Sequence, residues 1–156
     1  ASEIARGQCS HLARVFSSNW TEWHPAGQPS AFGIDSGSSI NPPESPWSQD
    51  KRAYFWQASP YKQSIHQEIS VPVNDAYYRL EAWVRLMNAA PYVARAEIAN
   101  HGSTPIFHEI EPGDGWQYIR VDNIHVTSGQ LDVGFYVDSP GGTTLLIDDV
   151  RLTKQE

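Results

Sequence analysis

The residues best suited to chemistry stand on one short stretch, Tyr77 to Met87, reading YYRLEAWVRLM. Glu81, Trp83 and Arg85 occupy every second position within it, so an indole ring is flanked by an acceptor and a donor. On a rigid strand that trio forms a platform for a polar ligand with apolar patches, such as a sugar. The structural alternative is a Trp83 covered by a loop or left as a plain surface aromatic. No G-x-S-x-G, H-E-x-x-H or Gly-rich phosphate loop occurs. Eighteen Asp and Glu supply carboxylates in any combination, and spacing along the chain does not pair them. His101, His108 and His125 lack metal-ligand spacing and read as surface or structural groups.

A platform needs a strand beneath it. Tyr78, Leu80, Ala82, Val84 and Leu86 form the other half of the alternation, which is the pattern of a strand with one face on a core. Similar runs follow along the chain. Arg52 to Ala58 alternates, with Ser59-Pro60 as a break. Ser64 to Val71 sends Ile65, Gln67, Ile69 and Val71 inward and His66 and Glu68 outward. Tyr92 to Ala99 places Tyr92, Ala94, Ala96 and Ile98 on the likelier core face, opposite Arg95 and Glu97. Pro105 to Ile110 is a short strand. Trp116 to Val126 carries a bulge signal at Asp122-Asn123. Gln130 to Val137 points Leu131, Val133, Phe135 and Val137 one way and Asp132, Gly134, Tyr136 and Asp138 the other. Thr144 to Thr153 closes the series. Turn residues separate the runs at Asn100-His101-Gly102, Glu111 to Gly115, Thr127-Ser128-Gly129 and Ser139 to Gly142.

Eight to ten strands without intervening helices predict an all-β fold, an antiparallel β-sandwich of jelly-roll type, as one domain over residues 1–156. Residues 1–18 are harder to read. Leu12, Val15 and Phe16 have helical spacing, yet the segment reads equally as a first strand after an irregular arm. Residues 19–50 have long-loop composition, which Trp20, Trp23 and Trp47 would brace or use to line a site; bracing is the default for each.

A net charge of −7 argues against nucleic acid and against an anionic membrane surface. No apolar run approaches the roughly 20 residues of a membrane span. Cys9 is the one cysteine, which rules out an internal disulfide and favours a bacterial source. Asn19-Trp20-Thr21 matches a glycosylation sequon by chance in that setting.

The ordered features from residue 52 to 153 resemble a known family. They are Trp56, Tyr61, Gln67, the Ala82 to Arg85 run AWVR, Val126 to Gln130, the Gly134 to Asp138 run GFYVD, and the Ile147 to Val150 run IDDV. This series is similar to the family 61 carbohydrate-binding modules that accompany bacterial endo-β-1,4-galactanases. Residues 1–50 depart from that pattern, and AWVR runs on into LMNAAP where the family has a Ser/Gly-rich turn.

The resemblance implies a secreted, non-catalytic module that binds a neutral plant polysaccharide, foremost β-1,4-galactan, as a monomer tethered to a glycoside hydrolase. Sugar rings stack one face on an aromatic and offer hydroxyls at the edge. Trp56 and Trp83 are the stacking candidates, with a core Trp56 as the alternative. Arg85, His66, Glu81 and Asn100 are the hydrogen-bonding candidates, and Tyr61 and Tyr136 suit either role. By parity with Val150 and Leu152, Asp148 points to the core, where a carboxylate is costly unless paired or bound to metal. Related modules hold a structural calcium, which implies Asp148 as a ligand with Glu3 as partner, against the alternative of an Asp148 bonded to turn amides. A jelly-roll polysaccharide lyase or hydrolase using Tyr, His and Arg, and an adhesion domain without a glycan, are the competing functions.

Overall fold

A computed structural model describes residues 2–3, 9–13, 20–36, 51–72 and 76–155, with side chains over 20–34, 52–72 and 76–155. Within them the chain forms strands and no helix. They are β1 (Ser2–Glu3), β2 (Cys9–Ala13), β3 (Thr21–Trp23), β4 (Phe32–Ser36), β5 (Lys51–Phe55), β6 (Tyr61–Ser70), β7 (Ala76–Asn88), β8 (Val93–Ala99), β9 (Ile106–Glu109), β10 (Gln117–Val126), β11 (Gln130–Ser139) and β12 (Thr143–Gln155).

Two sheets result. The front sheet runs β1-β6-β11-β8-β9, with β3 also on β6; the back sheet runs β10-β7-β12-β5-β4, with β2 also on β12. All pairings are antiparallel except β1 with β6. The architecture is the β-sandwich jelly roll that the alternation predicts. The open choice near Leu12 resolves to a strand, because Cys9–Ala13 pairs with the end of β12; Val15, Phe16, the sequon Asn19 and Trp47 lie outside the described residues.

Alternation and core agree closely, except at Tyr92, which precedes β8 and is 72% exposed while Ala94, Ala96 and Ile98 are buried as expected. Tyr78, Leu80, Ala82, Val84 and Leu86 of β7, and Leu131, Val133, Phe135 and Val137 of β11, are all fully buried between the sheets. The bulge at Asp122-Asn123 is present as a register shift between Val121 and Ile124, with Asn123 at φ 58°. Without that extra residue, Ile124 and Val126 would face solvent.

A second bulge overturns the parity argument for Asp148. The register of β12 against β7 shifts between Asp148 and Arg151, and Asp149 takes the left-handed conformation at φ 51°. Asp148 lies directly opposite Trp83, so it shares the outward side of the back sheet with that ring, and only Val150 and Leu152 return to the core. It is nonetheless fully buried, and Leu146 and Trp83 on the same side are buried to 2% and 9% exposure. Counting by twos fails once an inserted residue resets the side.

Candidate functional site

The candidate site residues divide between the two outer faces and the loop end of the sandwich. Glu81, Trp83 and Arg85 point away from the core on β7, as alternation requires, but they do not form an open platform. Trp83 is only 9% exposed. The ring of Tyr118, its cross-strand partner, lies 5.6 Å away at 51°. The Tyr118 hydroxyl donates to Glu81 Oε2 at 2.5 Å, and Arg85 Nη2 donates to the Asp114 carbonyl at 3.0 Å. Glu81, Trp83, Tyr118 and Arg151 border a cleft of about 440 Å³ on this back face.

Tyr61 is a core residue. It is 2% exposed, and its hydroxyl donates to the Thr143 carbonyl at 2.8 Å. Burial raises its pKa and keeps it protonated. Neither its ring nor its hydroxyl is left for a ligand. Trp56 is the reverse case. It follows β5, is 48% exposed, and stands over an open cleft of about 640 Å³ with Gln28, Pro29 and Gln57 at the loop end.

The other candidates lie on the front face, and the pairing there gathers residues from distant parts of the chain. Trp23, Ser64, Tyr136, Arg95 and Glu109 are successive cross-strand partners over β3, β6, β11, β8 and β9. At strand spacing this row spans about 19 Å. The next row is Thr21, His66, Gly134, Glu97 and Phe107. Trp23 and Tyr136 rings are 6.4 Å apart, and the Arg95 guanidinium carbon lies 5.4 Å from the Tyr136 centroid and 3.9 Å from that of Phe107. Trp23 and Phe107 are about half exposed. The face is therefore a line of three rings with a guanidinium set between the second and third.

Over the second row lies a hollow of about 170 Å³ bordered by Ser64, His66, Glu97, Ala99, Asp132 and Gly134. Gly134 makes it. A Cβ there would stand 2.5 Å from the Ile65 carbonyl oxygen, so the strands tolerate no side chain at that point. Asn100, in the left-handed conformation at φ 58°, donates to Asp132 Oδ2 at 2.5 Å. Burial, seconded by the charge of Asp138, raises the Tyr136 pKa, so its hydroxyl remains a donor at neutral pH.

Charge on this face is mostly negative: Glu68, Asp132, Asp138, Glu97 and Glu109 share its outward positions with Lys62 and Arg95. A polyanion would meet repulsion here; a neutral polyol meets acceptors.

The two residues of the expected calcium pair lie on different sheets. β1, which carries Glu3, belongs to the front sheet, while Asp148 sits on the back sheet facing outward. Asp148 Oδ1 accepts from the Asp149 amide at 2.8 Å, which matches the turn-amide alternative. Among the described residues no group of three or more His, Cys, Asp or Glu is placed to hold a metal ion. The Glu3 side chain lies outside the described residues.

Sequence pattern alone does not mark Trp23 as a strand residue, nor Arg95, Glu97, Phe107 and Asp132 as site residues. Their outward parity was available for Arg95, Glu97 and Asp132. What was missing was the strand order that aligns them.

No family model matches this chain. Over 137 residues it is 65% identical to a Sporosarcina globispora protein named 1,6-alpha-glucosyltransferase; the match takes in 88% of this chain and 11% of that protein, so the chain spans about a tenth of its relative. Among solved structures, a family 61 carbohydrate-binding module in complex with beta-1,4-galactotriose superposes with a TM-score of 0.72 at 20% identity, covering 88% of this chain and 90% of the other. A family 11 carbohydrate-binding module from Clostridium thermocellum, in complex with a beta-1,3-1,4-mixed-linked tetrasaccharide, gives 0.62 at 10% identity over 96% and 97%. The fold is that of these modules.

Proposed function

We propose that the chain is a non-catalytic carbohydrate-binding domain of a larger glycan-acting enzyme, working outside the cell as a tethered monomer. The observation that carries this is the in-register row of Trp23, Tyr136 and Arg95, flanked by Phe107, on a half-exposed sheet face. Rings presented on paired strands need no rearrangement to stack sugar faces, and the surrounding carboxylates and amides accept and donate to hydroxyls. The prevalence of acids favours a neutral polysaccharide.

Two neutral chains have support. β-1,4-Galactan is supported by the sequence resemblance and by the fold shared with a galactotriose-bound module. A 1,6-linked α-glucan is supported by the name of the 65% identical relative, and we favour it because that likeness is far higher in sequence.

A lyase reading also has an observation behind it, since Tyr136, His66 and Arg95 share the front face. It is disfavoured because the negatively charged face would repel a uronate chain. Affinity electrophoresis over β-1,4-galactan, dextran, mixed-linkage glucan and alginate, with a reducing-sugar assay on each, tests all three. Retention on a neutral glycan without turnover, lost in Trp23→Ala, supports the binding domain. Turnover on any of them overturns the non-catalytic reading, and free migration through all of them overturns glycan binding.

A further inference from the structure

Arg95 is held more tightly than a surface arginine normally is. One face of its guanidinium lies on Phe107 at 3.9 Å and the Tyr136 ring is 5.4 Å away, while Nε donates to Glu97 Oε2 at 2.8 Å. Arg95 and Glu97 are two apart on β8, so both project outward, and their side chains stay 27% and 29% exposed. With Nε consumed and a ring on its face, the group has its two terminal nitrogens left to donate. The second oxygen of Glu97 is left as an acceptor. A donor edge and an acceptor are thus held together by the ion pair on the outward face of β8, with Glu97 bordering the Gly134 hollow.

We infer that Arg95 and Glu97 together read a vicinal diol on the bound glycan, one hydroxyl accepting from an Arg95 terminal nitrogen and its neighbour donating to Glu97. This rests on the front-face site proposed above and deepens it. Adjacent equatorial hydroxyls at C2 and C3 are free in both 1,4-linked galactan and 1,6-linked glucan, so one pair of residues serves either chain. A 1,3-linked chain has no vicinal pair on its internal residues. Left against it, the guanidinium and carboxylate would lose water without gaining full partners, which is the stronger basis for discrimination in a polar site. Fixing the pair in advance, by two rings and an ion pair, lowers the entropy lost on binding.

The test uses Arg95→Lys, which keeps the charge and loses the planar fork, and Glu97→Gln, which keeps the shape and loses the acceptor charge. Affinity electrophoresis on β-1,4-galactan and dextran, and pull-down on a linear 1,3-linked β-glucan, are run beside Trp23→Ala, with unfolding midpoints for every variant. The expected result is a loss of at least fivefold in each of the two variants at an unchanged midpoint, with no retention on the 1,3-linked glucan. A loss under fivefold in either variant, or equal retention on the 1,3-linked glucan, overturns diol reading. If Trp23→Ala binds like the parent, the front-face site itself is overturned and the inference falls with it. If Trp23→Ala loses binding while the other two keep it, only the diol reading is lost.

Discussion

Trp23 and Trp83 stand on opposite outer faces of the sandwich, and they differ in exposure, 48% against 9%. Trp23 reaches the front face through a three-residue strand, with its ring beside Tyr136. Trp83 belongs to β7, the long strand between β10 and β12 in the back sheet, and lies beside Tyr118. The proposed function therefore gives the two indoles different duties, one toward ligand and one toward stability.

Removing the Trp23 ring takes away an exposed contact and little packing. Trp23→Ala and Tyr136→Ala are each expected to weaken glycan binding at least tenfold, equivalent to about 1.4 kcal/mol. Titration calorimetry against the best glycan of the panel measures it. Affinities within threefold of the parent in both would move the site to the Trp56 cleft or to the back face.

Trp83→Ala should act on stability instead. Emptying a buried indole site costs about 3 kcal/mol, which for a domain of this size lowers the thermal midpoint by about 6–12 °C. The folded fraction keeps its glycan affinity. A folded variant with parental midpoint and no retention would return the ligand to the back face.

Tyr61→Phe tests the buried hydroxyl. It leaves the Thr143 carbonyl without the 2.8 Å donor, a loss of about 1–2 kcal/mol. Denaturant unfolding should show it as a lower midpoint at unchanged slope, and glycan binding should not change. Loss of binding without loss of stability would make Tyr61 a ligand contact after all.

His101 gives the expected pH dependence. It is buried, and burial pushes its pKa below the ordinary value, with the charge of His125 acting in the same direction. The unfolded chain takes up its proton near pH 6.5, the folded chain only at lower pH. Between those two values the unfolded state binds more protons, so stability falls as pH drops below about 6.5 and is fully present above it. Thermal unfolding from pH 8 to 5 should show that decline, flattened in His101→Asn. Equal slopes for parent and variant would assign the decline to other groups.

Much of the fold was readable by counting. β7 and β11 announce their inward faces by strict alternation, and Asp122-Asn123 announces its bulge by breaking one. Asp148 was misread because the bulge at Asp149 has no comparable mark; the Val150 and Leu152 parity looks unbroken through it. Tyr61 was misread because it lies at the first position of β6, on the inward side, whereas the sequence pattern began that strand at Ser64.

From its residues alone the chain can be read as a sandwich of antiparallel strands, with the outward side chains of its unbroken strands identified and no basic stripe for phosphates. Those properties follow from period-two alternation and composition, both local. Which outward residues meet was decided by tertiary structure alone. Trp23, Tyr136, Arg95 and Phe107 come from four separate strands, and the order β3-β6-β11-β8-β9 that aligns them arises from long-range pairing. Whether an outward ring is a platform or a buried prop depends on what the rest of the chain lays over it, and alternation is blind to that.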